Sequence, residues 1–359
     1  MNRIHVCVLA SFSAALTAQS HVVAPAANTT TDALAYEWFA GAEAPLRQQI
    51  LVGASHLTAM VGRQITALEL RRTAVNETYS GGSADLAVDL STSPSAASSA
   101  SNTFATNIGP DLTNVFAGTI TLPPSPNTGS AGSQVAWSAA NTIQIPLSTP
   151  FPYNGGTLCI DITGTPISGQ QTWWMTDAAE EVVAGTAVLE LGPGCGIYGG
   201  PQHQWSMVAR RSLVPGGQAV FRAEGPANSL GIAFFGEALP TPFPLSMVGI
   251  PTAGCNCHID PMQPFVALPV LFEPEVHPLL GAMATAEILV PLPAVPPVLG
   301  FQMTTQWFEL TQLALSNAIR WQVASAMPTL DMALVEGNPT LSTGTVTNYL
   351  APVVRFEYQ

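Results

Sequence analysis

Apolar and polar residues alternate with a period of two along much of this chain. Ala84, Leu86, Val88 and Leu90 are interleaved with Asp85, Ala87 and Asp89. That spacing turns one face of an extended segment to a core and the other to water. Leu158, Ile160 and Ile162 alternate with Cys159, Asp161 and Thr163 in the same way. Further strands are predicted at 65–72, 115–122, 142–147, 187–191, 218–223, 230–235, 286–290, 300–308 and 353–358. The apolar run 265–272, broken by Pro269, reads as a buried strand. One or two helical turns are expected near 33–40 and 177–183.

Between these segments lie turn formers, among them Gly81-Gly82, Pro123-Pro124-Ser125-Pro126-Asn127, Pro215-Gly216-Gly217 and Gly337-Asn338-Pro339. Glycine supplies positive φ, and proline fixes φ and removes a donor. Prolines this dense are hostile to helix interiors. Many short strands joined by such turns predict an all-β chain built of two β-sandwich, jelly-roll-like domains.

The N-terminus has a different pattern. Arg3 precedes the apolar stretch Ile4 to Leu16, and Ala18-Gln19-Ser20 follows with small residues at −3 and −1 of a cleavage site. This is the layout of a secretory signal peptide, expected to be cleaved and to carry Cys7 away with it. The run is shorter than the roughly 20 residues that span a bilayer, and no later stretch is long enough. No transmembrane segment is expected. The expected organisation is a signal peptide over 1–20, a first domain over 21–185 and a second over 186–359. The boundary is placed where glycine and proline thicken ahead of a cysteine motif. The expected location is outside the cell or on its surface.

Charge narrows the set of partners. Only 9% of residues are charged, and none is lysine, against about 25% in an ordinary domain. Without Arg3, nine arginines face 23 acids, a net charge of −14. Such a chain has no basic surface with which to neutralise phosphates, so no nucleic-acid partner is expected. The surface must be covered largely by Ser, Thr, Asn, Gln and Gly.

No arrangement of residues declares a reaction, and no catalytic residue, metal or cofactor is predicted. The Gly-x-Ser-x-Gly elbow that exposes a hydrolase serine is absent. Ser55-His56, and Ser206 near His203, lack the distant partners of a triad. Cys255-Asn256-Cys257-His258 is the one cluster with metal-ligand residue types, and an oxidising compartment favours disulfide chemistry there instead. Asp85, Asp89 and Asp111 are candidate calcium oxygens without an EF-hand run. Glu180-Glu181 and Glu273-Pro274-Glu275 are the close carboxylate pairs that glycoside hydrolysis would need. Trp173 and Trp174 are the candidate glycan-binding residues, since a flat exposed ring stacks on a sugar.

Short turn and aromatic motifs occur in both halves. The first half holds Phe104-Ala105-Thr106-Asn107, Val115-Phe116-Ala117-Gly118, Pro150-Phe151-Pro152-Tyr153 and Gly155-Gly156-Thr157-Leu158. The second holds Gly194-Cys195-Gly196, the segment Pro251 to Cys255, Gly300-Phe301-Gln302 and Ser316-Asn317-Ala318. In these motifs the chain resembles uncharacterised exported β-sandwich proteins of planctomycetes and similar large-genome bacteria. The resemblance implies a lineage and a sandwich module without an assigned reaction. It also implies that Cys195 pairs with Cys255. Cys159 and Cys257 depart from the pattern, leaving a Cys159–Cys257 bridge or a Cys257–Cys195 pairing as alternatives.

Together these readings predict an exported, non-catalytic structural or adhesive protein of the cell surface or extracellular matrix. Its expected partners are surface polysaccharide or copies of itself. The two other readings are a carbohydrate-binding module protein, and a secreted hydrolase whose site is assembled from dispersed residues.

Overall fold

A computed structural model of the chain describes residues 20–170, 173–181, 185–198, 206–250, 254–263, 266–277 and 281–359. The predicted signal segment therefore lies outside the described residues up to Gln19, as does His203. The expectation of an all-β chain holds. Strands dominate, and the one α-helix among the described residues is the single turn Phe104–Asn107. No helix among these residues is long and apolar enough to cross a membrane.

The alternating segments form the strands Gly82–Ser93 and Thr157–Pro166, which pair antiparallel. They belong to a six-stranded sheet that runs Thr345–Asn348, Met332–Gly337, Leu46–Val52, Thr157–Pro166, Gly82–Ser93 and Thr113–Leu122. A four-stranded sheet runs Ser20–Ala24, Val354–Tyr358, Arg63–Arg71 and Thr142–Tyr153. Leu68, Leu70, Ile143, Ile145, Val354 and Phe356 from the smaller sheet share a buried cluster with Ile50, Val88, Leu90, Ile160 and Leu334 from the larger. A three-stranded sheet, Leu34–Trp38, Met175–Glu180 and Leu350–Pro352, lies beside them.

The middle of the chain makes its own sheets. One runs Ala187–Gly192, Ala318–Gln322, Gln302–Glu309, Leu230–Gly236 and Val266–Leu271. Another runs Ser206–Val208, Gln218–Glu224, Gly281–Pro291 and Glu273–His277. Phe221, Ala286, Phe235, Trp307 and Trp321 from these two sheets meet in a second buried cluster.

The pairing crosses the expected division at 185/186. Met332–Gly337 pairs with Leu46–Val52, and Val354–Tyr358 pairs with both Ser20–Ala24 and Arg63–Arg71. Residues 332–358 thus complete the sheets of the first half, and the stretch 187–322 is inserted between strands of that group. Turn-rich punctuation marks where the chain leaves a sheet, and it carries no signal of where the chain returns.

Two expectations are corrected. The segments expected to turn helically near 33–40 and 177–183 overlap the strands Leu34–Trp38 and Met175–Glu180, which pair with each other, and residues 182–184 lie outside the described residues. Hydrogen bonding to a neighbour overrides their alanine-rich local preference. The run at 265–272 forms an edge strand, Val266–Leu271, rather than a buried one. Val266 and Leu271 are about half exposed, and Pro269, with no N–H to offer, suits an edge.

Close backbone approach fixes one crossing. Gly41 has φ +78°, and a Cβ there would lie 2.8 Å from the Thr165 nitrogen. A Cβ on Gly164 would lie 2.3 Å from the Ala40 carbonyl carbon. The loop after Trp38 therefore rests directly on the strand Thr157–Pro166, which only glycine permits.

Candidate functional site

A gathering of ionisable side chains sits on the face of the four-stranded sheet turned away from the large buried cluster, a face that is itself partly covered. Strand alternation places Val22, Val354 and Leu68 on one side of this sheet and His21, Arg355, Glu357, Glu69 and Arg71 on the other. The register sets His21 opposite Glu357 and Arg355 opposite Glu69. Arg355 Nε donates to Glu69 Oε2, and Gln144 Nε2 donates to Glu69 Oε1 at 3.4 Å. His21 Nε2 lies 3.7 Å from Glu357 Oε2. One ligand atom from each of His21, Glu69 and Glu357 falls within 4.8 Å of the others. Their residue types suit a divalent cation, but Arg355 already occupies Glu69 and sets a fixed positive charge beside the group.

Next to this group Arg71 is wholly buried. Its Nη2 donates to Asp177 Oδ2 at 2.5 Å, and the same guanidinium donates to the carbonyls of Asn28, Thr31 and Val135. The Ala33 N–H donates to the other Asp177 oxygen at 2.8 Å. Burial nevertheless pushes the Asp177 carboxyl up to about 6, against the hydrogen bonds from Arg71 and Ala33. Asp32 closes the group by accepting from the Ala74 and Gly132 N–H groups. The half-buried ring of Trp137 lies 4.9 Å from the Arg71 guanidinium carbon and 4.7 Å from that of Arg355. Its indole N–H donates to the Thr29 carbonyl at 2.7 Å.

The predicted tryptophan pair is close by. Trp174 is buried, and its N–H donates to the Pro123 carbonyl at 2.9 Å. Trp173 is half-buried and packs edge-on to Tyr79 and Trp38, with ring centroids 5.2 and 5.9 Å apart. Tyr79 in turn lies under the Arg72 guanidinium at 3.8 Å. Arg72 is buried and donates to the carbonyls of Thr73, Ser125, Pro126 and Glu77, so one cation ties the proline-rich loop at 123–126 to the loop after Arg71. Burial pushes the Tyr79 hydroxyl up to about 12 and lowers Arg72.

The cysteine motif resolves into a bridge and a free thiol. Cys195 and Cys255 form a disulfide with Cα atoms 5.1 Å apart. Cys159 and Cys257 are free, so neither alternative pairing is formed. Burial pushes both thiols up, which makes them poor nucleophiles and poor metal ligands.

The remaining candidates do not converge. Asp85 accepts from Thr119, Asp89 from Asn114, and Asp111 from Thr92. Glu181 accepts from the backbone of Thr329 and Leu330. Ser55 Oγ donates directly to Asp331 at 2.9 Å, with no histidine between them. Sequence reasoning missed Arg71, Asp177 and Arg72. The signal available was the pair of adjacent arginines at the end of a strand, in a chain with ten basic residues in all.

Compared with known proteins, the chain matches no family model, no curated protein and no solved structure.

Proposed function

We propose that this chain is an exported, non-catalytic structural or adhesive protein of the cell surface or extracellular matrix, whose two groups of sheets act as β-sandwich modules. The observation that carries this reading is how the chain closes on itself. The strand Val354–Tyr358 lies between Ser20–Ala24 and Arg63–Arg71, so both ends of the described chain are held in one sheet. Ser20 lies opposite Tyr358 in this antiparallel pair, so the two ends of the described chain lie side by side and are fastened to each other by the strand ladder.

Other features support a scaffold. The buried arginines spend their donors on backbone carbonyls, which fastens loops to sheets. The inserted stretch is tied to the frame by Tyr349, whose hydroxyl donates to the Pro215 carbonyl at 2.9 Å, and by Asn348, which donates to Gly216 at 2.8 Å. The disulfide suits an oxidising compartment.

Fractionation of the producing cells, with N-terminal sequencing of the product, tests the reading. Recovery from the surface or matrix fraction with an N-terminus near His21 is expected, as is weaker cell adhesion when the gene is deleted. Recovery of the uncleaved chain from the cytoplasm, or unchanged adhesion in the deletion strain, would overturn it.

A second reading, a carbohydrate-binding protein, is favoured by one observation. Trp38 and Trp173 are both half-buried and in contact, so an aromatic pair reaches the surface. Polysaccharide pull-down tests it: retention that Trp173→Ala removes would support it, and no retention on any glycan would end it.

A further inference from the structure

A cavity of about 550 Å³ opens between the two sheets of the inserted stretch, and every side chain lining it is apolar. Phe235 and Trp321 form the buried part, Leu268 and Val290 stand on the two facing strands, and Val266 and Phe301 are exposed at the rim. The one polar atom on Trp321, its indole N–H, is already spent on Thr305 Oγ1 at 2.8 Å.

The strand pairing explains the opening. Glu273–His277 pairs with Gly281–Pro291 only as far as Thr285. From Ala286 to Pro291 that strand keeps its partner Gln218–Glu224 on one side and has no strand partner on the other among the described residues. The strand Val266–Leu271 is likewise the edge of its own sheet. The mouth lies where these two edges come together, and the loop after Pro291 forms its remaining wall.

We propose that this cavity is a binding site for the aliphatic chain of a small uncharged molecule, such as a long-chain alcohol or the tail of a neutral lipid. Three features select that chemistry. The volume is that of a small-molecule pocket. A peptide strand entering it would bury N–H and C=O groups with no partners in the wall, a cost that a hydrocarbon avoids. An anionic head group would meet an acidic chain with no lysine and no basic side chain in the lining. The proposal stands independently of whether the protein is a surface scaffold.

Calorimetric titration of the full chain with 1-octanol, 1-decanol, 1-dodecanol and decanoate at pH 8 tests it. The dissociation constant is expected to fall about fourfold per added methylene. Decanoate is expected to bind at least about tenfold more weakly than decanol. Leu268→Trp, which fills the cavity, should abolish decanol binding, while Leu271→Asn, on the same edge strand but outside the lining, should leave it unchanged. Should Leu268→Trp fail to fold, Val266→Glu at the rim takes its place. Affinity independent of chain length, decanoate binding as tightly as decanol, or decanol binding undiminished by the filling or rim variant would each overturn the proposal. So would sedimentation showing a dimer that Val266→Glu dissociates and decanol leaves intact, since the cavity would then be an interface between copies.

Discussion

Arg71 and Asp177 form an ion pair in which both side chains are wholly buried, with Nη2 and Oδ2 2.5 Å apart. Desolvating two charges is expensive, and the pair persists because the carbonyls of Asn28, Thr29, Thr31 and Val135 accept from the guanidinium and the Ala33 N–H donates to the carboxylate, leaving Arg71 Nε as the one nitrogen of the pair without a partner. Removing either partner strands the other. Asp177→Leu, which removes the acceptor as well as the charge, or Arg71→Met is expected to cost about 3–5 kcal/mol in denaturant unfolding. The double variant Arg71→Met/Asp177→Leu is expected to cost clearly less than the two single effects combined, because no buried charge remains. Additive losses would mean that the two side chains are not coupled.

The same carboxyl produces a pH dependence. Its value in the folded chain, about 6, lies above its ordinary value of 3.8. Between those values the folded chain holds a proton that the unfolded chain has released. The contribution of Asp177 to stability is therefore greatest below about pH 4, declines as pH rises to about 6 and is level above that. The limiting slope is about −1.4 kcal/mol per pH unit. Urea unfolding of the parent and of Asp177→Asn from pH 4 to 7 isolates it: their difference should slope through this window and flatten beyond it.

Much of the strand content was legible because alternation survives wherever one face of a strand stays wet, as in Gly82–Ser93. It fails where both faces are covered. Leu46–Val52 and Met332–Gly337 lie inside the six-stranded sheet, and their Gln48, Gln49 and Glu336 read as surface residues although the two glutamines are buried. Gln49 is buried because its amide donates to Asp161 and to the Phe104 carbonyl, partners 112 and 55 residues away along the chain. The Arg71–Asp177 pair was invisible for the same reason, since charges read as solvated until the fold supplies their partners. Trp173 and Trp174 were legible as a pair, but not that Tyr79 and Arg72 would take up the space around them.

The disulfide closes a loop with a sequence separation of 60 residues. Cross-linking a loop of that length removes denatured-state entropy worth about 4 kcal/mol. Cys195→Ser/Cys255→Ser is expected to lose stability of that order in non-reducing urea titrations. The parent should lose the same amount when dithiothreitol is added, while the double variant should not respond. A parent indifferent to reductant would show that the bridge constrains nothing.

Gly164 meets the Ala40 backbone so closely that no side chain fits without moving the main chain. Gly164→Ala is expected to cost at least about 3 kcal/mol, above the usual range for a cavity overfilled by one methyl, because the obstacle is backbone rather than a side chain that can change rotamer. Gly169 differs in having positive φ, and no atom lies within 4 Å of a Cβ placed there. Gly169→Ala should therefore show the conformational penalty alone, about 1 kcal/mol. Thermal unfolding of the two variants side by side separates close approach from φ preference.

The last strand supplies the sharpest test of how the chain is assembled. Val354–Tyr358 bonds to strands on both sides, and Phe356 is completely buried between the two large sheets of its group. Were residues 186–359 a self-contained unit, ending the chain after Asn348 would disturb only that unit and leave the first half folded. Because the strand is internal to a sheet formed with Ser20–Ala24 and Arg63–Arg71, truncation removes the middle of that sheet and exposes Leu68 and Leu70. It also removes Leu350–Pro352, the partner of Met175–Glu180. The truncated chain is expected to lose hydrogen-exchange protection across Arg63–Arg71 and Met175–Glu180, well outside the segment deleted. Phe356→Ala in the full chain should cost about 3–5 kcal/mol and weaken protection at the same places. Protection retained in Arg63–Arg71 after truncation would mean that the first half folds without the returning strand.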